Sequence, residues 1–169
     1  PRHGGADMTD FLTVQNPLTL KLALFIGAFL VAAASALVRP SIAAKLLASI
    51  EASPGIMHAT AAVTAFAGGG LLAAHFDFTS ITAALVTLTA IWWAIEGLGL
   101  LALGHALKIA SPQSVRLYAL TNIPALLIGV FLIGMTVFGL GITEPREPGI
   151  YGGIGLCVVI SVALSTMRR

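Results

Sequence analysis

Five long hydrophobic runs, separated by short polar connections, dominate the pattern of the chain. They cover residues 18–38, 57–76, 81–105, 121–142 and 151–167. The first four are about 20 residues long, which is what a helix needs to cross about 30 Å of hydrocarbon, and the fifth lies at the lower limit of that length. Strands of a membrane barrel would instead alternate polar and apolar residues over about 10 positions. The pattern therefore predicts an all-α, polytopic transmembrane helical bundle of about five spans.

Two connections begin near a proline and are themselves partly apolar. In the first, residues 41–53 follow Pro40, and their apolar side chains recur at a spacing that suits a short helix lying on the membrane interface. Those side chains are Ile42, Leu46, Leu47 and Ile50. The second connection, residues 111–118 around Pro112, is similar but shorter. Alternatively, each segment is a solvated turn that starts the next helix.

The order of these elements suggests an internal duplication. A hydrophobic helix, a proline-opened segment and a second hydrophobic helix occur in residues 18–76 and again in 81–142. An alignment of the two parts of the sequence that places Pro40 on Pro112 also places Gly27 on Gly99. We divide the chain accordingly. The parts are an N-terminal extension (1–17), a four-helix transmembrane region with two suspected hairpin repeats (18–142), and a loop with a short C-terminal transmembrane helix (143–169).

The composition indicates membrane residence independently of any segment. Hydrophobic residues make up 57% of the chain and charged residues 9%, whereas a soluble domain has roughly 25% charged residues. So few charges cannot cover the surface of a soluble fold of this size, and contact with lipid removes that need. The basic residues are scattered and lack interleaved aromatic residues, so nucleic-acid binding is not predicted. The predicted partners are the lipid bilayer and either a membrane protein or a second copy of the chain.

Lysine and arginine indicate the orientation of the helices. With five spans, six basic residues fall on one side of the membrane and three on the other. The six are Arg39, Lys45, Lys108, Arg116, Arg168 and Arg169. The positive-inside rule then predicts a cytoplasmic location for the first and third connections and for the C-terminus, with the N-terminus outside.

A rival interpretation reverses that orientation. Residues 22–33 have the character of a signal-peptide core, and the Ala-Ser-Ala sequence at 34–36 fits a cleavage site. Cleavage there would reverse every later span. Since most basic residues would then lie outside, we favour an uncleaved first helix.

Glu96 is the one acidic residue within the five runs. It lies about 15 residues into the third run, and so about 22 Å along the helix axis, where a charged side chain costs at least about 2.5–3.5 kcal/mol. Its carboxyl can be protonated or can face a polar partner inside the bundle. Thr89, Trp92 and Gly99 share its face and complete a candidate intramembrane polar site. We favour a structural role over a proton or cation site, because the runs contain no second acid.

Small residues at four-residue spacing predict close helix packing. Two sets stand out, one along the second run and one where the fifth run begins. They are Ala61, Ala65, Gly69 and Ala73, and the G-x-x-x-G pair Gly149 and Gly153. Small side chains let helix backbones approach closely, which drives association in lipid. We therefore predict that these residues form helix contacts within the chain or between chains.

The chain contains no motif that predicts catalysis or cofactor binding. There is no nucleophile–base pair and no pair of carboxylates, and the glycines at 68–70 lack the strand and lysine of a phosphate loop. The single cysteine, Cys157, excludes an intramolecular disulfide. His58, His75 and His105 lie near the ends of runs, where interfacial hydrogen bonds are expected. We therefore predict no enzyme activity, no catalytic or metal-binding residues and no cofactor.

Glu96-Gly97-Leu98, followed by Pro112, resembles the YjeT-like family of very small bacterial inner-membrane proteins of unknown function. In that family a first helix with Glu-Gly-Leu is followed by a proline-opened amphipathic segment and a glycine-rich second helix. The first half of the chain shows other parts of this pattern in the same order, namely Pro40, Lys45, Pro54 and the glycines at 68–70. The resemblance implies an accessory role without a defined activity.

Two functional hypotheses follow. The leading one is a small accessory or scaffolding protein of the bacterial inner membrane, since the chain combines small-residue rows with short connections. The alternative is a small transporter or channel subunit in which Glu96 is the coupling site for a proton or cation. A transport role requires a second polar group from another helix close to Glu96.

Overall fold

The computed structural model describes residues 16–140, and all regular elements in this range are helical. They are α1 (Pro17–Leu37), α2 (Pro40–Ala52), α3 (Pro54–Ala74), α4 (Ile81–Leu103), a single 3-10 turn (Gly104–Ala106) and α5 (Pro112–Leu140). The all-α prediction is confirmed for this part of the chain. The predicted fifth span at 151–167 lies outside the described residues, together with Gly149 and Gly153.

Four of the helices, α1, α3, α4 and α5, are long and apolar enough to cross a membrane. At 1.5 Å per residue, the 21 residues of α1 extend about 32 Å and the 23 residues of α4 about 34 Å, close to the thickness of a hydrocarbon core. Large apolar side chains point outward from these helices, among them Phe25, Phe66 and Ile95. Such exposure is unfavourable in water and expected in lipid.

Prolines define where three of the helices begin. Pro40, Pro54 and Pro112 are the first residues of α2, α3 and α5. Proline suits this position because the first amide of a helix has no intrahelical partner to lose. Serine side chains cap the second and third of these starts. The Ser53 hydroxyl accepts a hydrogen bond from the Ile56 amide at 3.4 Å, and the Ser111 hydroxyl accepts one from the Ser114 amide at 3.2 Å.

The two proline-opened segments adopt different structures. Residues 40–52 form the separate helix α2, whereas the segment after Ser111 continues directly into α5 as its first turns. The two glycines that the suspected repeat superposes also have different environments. Gly27 is buried against the backbone of Gly129, while a side chain added at Gly99 would meet no atom within 4 Å. The fold therefore does not show a tandem repeat.

Pro124 lies in the interior of α5, twelve residues after the helix begins, and not in the first turn of a span that starts at residue 121, as the predicted fourth run implies. The prediction began this span at residue 121, but the helix begins nine residues earlier, at Pro112. Proline cannot donate the usual hydrogen bond to the carbonyl four residues before it. In the preceding turn, Thr121 Oγ1 and Asn122 Nδ2 both donate to the Tyr118 carbonyl, at 2.9 and 2.8 Å. Side-chain groups therefore donate additional hydrogen bonds to a backbone carbonyl close to the proline.

Of the described residues, one compact unit comprises 16–31, 77–86 and 126–140. Here α1 and α5 run antiparallel and approach at a pair of glycines. A Cβ built on Gly27 would lie 2.8 Å from the Gly129 carbonyl oxygen, and one built on Gly129 would lie 2.9 Å from that of Gly27. Two turns away, the Thr136 hydroxyl lies 3.4 Å from the Leu20 carbonyl oxygen. The close approach of α1 and α5 requires glycine at positions 27 and 129, because a side chain at either position would collide with the backbone of the other helix.

The second compact unit comprises residues 32–76 and 87–125. In it, α2 packs on the beginning of α5 through a small apolar cluster. The buried members of the cluster are Ala43, Leu47 and Val115, and partly buried neighbours are Ala44, Ile109, Ala110 and Tyr118. A hydrogen bond adds to this contact, since a carboxylate oxygen of Glu51 accepts from the Ala110 amide at 2.6 Å.

Candidate functional site

The candidate site at Glu96 depends on a close contact between α3 and α4 in the second unit. A Cβ built on Gly97 would lie 2.6 Å from the Ala65 Cα and 2.7 Å from the Ala61 carbonyl oxygen. On the other helix, a Cβ on Gly68 would lie 2.7 Å from the Ala90 carbonyl oxygen. The two backbones therefore touch at both glycines. This contact determines the rotation of α4, and with it the direction of the neighbouring Glu96.

The predicted row of small residues in α3 coincides with this contact only in its first half. Ala61 is fully buried and Ala65 is half-buried against Gly97, whereas Gly69 and Ala73 are exposed. The physical reason is the helical pitch, since each step of four residues rotates the row by about 40° around the helix. After two steps the row has left the α4 contact. Gly68, which the prediction did not include, takes the contact position instead.

Glu96 lies at the border between the buried and exposed sides of α4. It is half-buried, next to the buried Gly97. The exposed side of α4 consists of large apolar residues, namely Leu88, Trp92, Ile95, Leu98 and Leu103. Since α4 ends at Leu103, Glu96 is only about 10 Å from the C-terminal end of the helix. The depth of about 22 Å predicted from the sequence is measured from the N-terminal end of this helix. Measured from the C-terminal end, Glu96 lies nearer to the membrane surface.

Two aromatic residues interact with the Glu96 carboxyl. Trp92, one turn earlier in α4, is a side-chain hydrogen-bond partner, with its indole N–H as the donor. Tyr118 of α5 interacts electrostatically with the same carboxyl. Tyr118 lies six residues after the start of α5, about 9 Å along its axis, and so at a depth similar to that of Glu96. The side chain of Asn122 is in turn a hydrogen-bond partner of Tyr118.

The structure thus joins some of the predicted site residues and leaves others apart. Trp92 interacts directly with Glu96. Thr89 is partly buried two turns before Glu96 on the same face, and Gly99 borders open space one turn after it. Tyr118 was missed because the predicted fourth span began at residue 121 and left Tyr118 in a polar connection, and Asn122, which lies within that span, was not singled out. Comparing depths from the 104–111 connection would have paired Tyr118 with Glu96.

Two of the histidines form hydrogen bonds close to helix ends. His58 is exposed in the second turn of α3, and its Nδ1 lies 2.8 Å from the Pro54 carbonyl oxygen. His75 is buried directly after α3, with Nδ1 3.4 Å from the hydroxyl of Thr87. Both rings therefore have partners within the protein.

A carboxyl, an indole N–H and a phenol at one depth can exchange hydrogen bonds with a polar or cationic group that reaches them. Such a group would come from the exposed side of α4, because Gly97 closes the opposite side against α3. No protein-family model, curated protein or solved structure matches the chain.

Proposed function

We propose that this chain is a small accessory or scaffolding protein of the bacterial inner membrane, without enzyme activity, that binds a membrane partner through the exposed side of α4. The observation that carries the proposal is the position of Glu96 at the edge of that side, half-buried beside the exposed indole of Trp92. A carboxyl that borders lipid is unfavourable on its own. A polar or basic side chain from a second helix would satisfy it and fix the register of the pair. The partner is another membrane protein or a second copy of this chain.

Site-specific photocrosslinking in native membranes tests this proposal. A photoreactive residue at Ile95, which is 64% exposed beside Glu96, should give a defined adduct. The matched control is Phe66 of α3, which is 85% exposed on another helix and should give none. Glu96→Leu should abolish the adduct at residue 95. Equal adducts from both positions, or an adduct that survives Glu96→Leu, would contradict the proposal. A pull-down in gentle detergent, read by mass, then distinguishes a second copy from another protein.

A second candidate function is a transporter or channel subunit in which Glu96 couples to a proton or cation. The observation in its favour is that Tyr118 and Asn122 supply polar groups from another helix at the depth of Glu96. Proton flux into liposomes that contain the purified chain tests it. Glu96→Gln should reduce the flux, while Glu51→Gln, which neutralises an exposed acid outside the spans, should leave it unchanged. Equal flux in wild type and Glu96→Gln would remove this candidate.

We propose the orientation with α2 and the 104–111 connection in the cytoplasm, the N-terminus outside and the C-terminus inside. The support is that Arg39, Lys45, Lys108 and Arg116 lie in or next to these segments. The fit of α1 against α5 at Gly27 favours retention of the first helix over cleavage as a signal peptide. We also propose that the chain is related to the YjeT-like family and contains a duplicated hairpin. The resemblance to that family agrees with an accessory role.

A further inference from the structure

The second unit carries four basic side chains in or beside α2 and the segment that leads into α5. We call them the basic surface: Arg39, Lys45, Lys108 and Arg116. All four are exposed, and none forms an ion pair with another described residue. The nearby acid, Glu51, accepts a hydrogen bond from the Ala110 amide. The basic surface therefore carries an excess of positive charge.

Packing brings three of these cations, Lys45, Lys108 and Arg116, next to the contact between α2 and the start of α5. Lys45 follows Ala44, which contacts the apolar cluster of α2 and α5, and Arg116 follows Val115, which belongs to that cluster. Lys108 directly precedes Ile109 in the same contact. The cluster and the Glu51–Ala110 hydrogen bond hold α2 against this segment, so the backbone positions that carry the basic side chains come from separate parts of the chain and are held together.

Exposed apolar side chains lie among the basic ones. Ile42 and Leu46 of α2 flank Lys45 along the helix, and Leu107 directly precedes Lys108; all three are more than a third exposed. Basic residues that alternate with exposed aliphatic residues on a short helix suit the boundary between headgroups and acyl chains. A soluble anion would use the charges but would leave the aliphatic side chains in water. The combination is complementary to a lipid that has a negatively charged headgroup.

We propose that the basic surface binds the headgroups of anionic phospholipids, with α2 lying in the headgroup region of the bilayer. The lysine and arginine side chains pair with lipid phosphates, while Ile42, Leu46 and Leu107 contact the upper acyl chains. This interaction anchors α2 and the 104–111 connection at the membrane surface. It does not depend on the role of Glu96, which lies within the α4 span.

Spin-labelled lipids test the proposal on the full chain reconstituted in phosphatidylcholine. The measured quantity is the association of labelled phosphatidylglycerol with the protein relative to labelled phosphatidylcholine. We expect a preference of several-fold for phosphatidylglycerol that weakens as salt rises. Lys45→Gln should lower the preference part of the way towards 1, since it removes one of the four cations of the basic surface. Replacing all four basic residues by glutamine should bring the ratio to about 1.

Two control variants separate headgroup binding from general effects of charge. Lys21→Gln removes an exposed lysine near the start of α1 that is not a member of the basic surface, and should retain the full preference. Arg39→Lys combined with Arg116→Lys conserves the charge and should also retain it. Helix content by circular dichroism must match wild type in every variant, and since the four side chains are exposed and unpaired we expect that it does.

Three results would overturn the proposal. The first is a wild-type ratio near 1, and the second is a ratio in the fourfold glutamine variant equal to that of wild type. The third is complete displacement of labelled phosphatidylglycerol by millimolar inorganic phosphate, which would identify a site for free anions. Glu96→Gln should leave the lipid preference unchanged, so that failure of the partner proposal and failure of this one can be distinguished.

Discussion

The Cα of Ala65 in α3 lies only 2.6 Å from the point where a side chain at Gly97 of α4 would begin. No real Cβ could occupy that point without a shift of backbone. The contact therefore sets how α4 is rotated against α3. Because Glu96 precedes Gly97, the contact also determines that the carboxyl is half-buried at its flank, where it interacts electrostatically with Tyr118. The stability of the fold and the position of the site depend on the same pair of residues.

Substituting Gly97 should consequently cost stability, whereas substituting Gly99 should not. Gly97→Ala forces a methyl group into the Ala65 backbone, and overpacking of this kind destabilises by about 1–3 kcal/mol. Gly99→Ala adds the same methyl group to the same helix where nothing lies within 4 Å, so we expect a change below about 1 kcal/mol. Unfolding by SDS in mixed micelles measures both. Equal free energies of unfolding for the two variants would disprove the close contact.

The two tryptophans of the chain should differ in their access to lipid. Trp92 is 62% exposed on the outer side of α4, and Trp93 is partly buried. In Trp93→Phe only Trp92 fluoresces, and brominated phospholipids should quench it strongly. In Trp92→Phe only Trp93 remains, and quenching should be weaker. Stronger quenching in Trp92→Phe than in Trp93→Phe would mean that the exposed side of α4 is assigned incorrectly.

The sequence was sufficient to locate the helices because length and apolar composition are direct requirements of the bilayer. The predicted runs 57–76 and 81–105 agree with α3 and α4 to within three residues. The predicted fourth span left out the first turns of α5 for a physical reason, although the alternative that the segment at 111–118 starts the next helix is confirmed. Gln113 and Arg116 lower the hydropathy of its first turns, while the Ser111 cap and the proline after it start the helix. Hydropathy indicates which residues lie in the hydrocarbon, whereas the capping residues indicate where the helix begins.

Which side of each helix faces its neighbour could not be predicted in the same way. A membrane helix is apolar on the side that faces lipid as well as on the side that faces protein, so periodicity carries little information about rotation. Adjacent glycines such as Gly68 and Gly69 are equivalent in the sequence, yet only Gly68 contacts α4. For the same reason the sequence does not show that Tyr118 and Glu96 face each other, although a comparison of depths from the 104–111 connection places them at the same level.

The hydrogen bond between Glu51 and the Ala110 amide should control the mobility of the 104–111 connection. Glu51→Ala removes the acceptor of a 2.6 Å hydrogen bond, and the Ala110 amide should then exchange faster with deuterium. Glu51→Gln keeps a side-chain oxygen and should protect the amide better than alanine does. Hydrogen–deuterium exchange read by mass spectrometry measures the peptide that contains residue 110. The Thr79 amide, which donates to an Asp77 carboxylate oxygen elsewhere, serves as an internal reference and should not change.

The proposed orientation makes opposite predictions for two exposed parts of the chain. The 75–80 connection contains Asp77 and no lysine or arginine, whereas α2 lies among the cations of the basic surface. After Cys157→Ser removes the native thiol, Asp77→Cys should react with a membrane-impermeant maleimide added outside intact cells. Ser49→Cys, at an exposed position of α2, should react only after the cells are opened. The reverse pattern would put the basic surface outside, as cleavage after Ala36 requires. An intact mass that retains residues 17–36 would independently exclude that cleavage. Labelling of both positions from outside would contradict either orientation, since α3 lies between them and is long enough to span the bilayer.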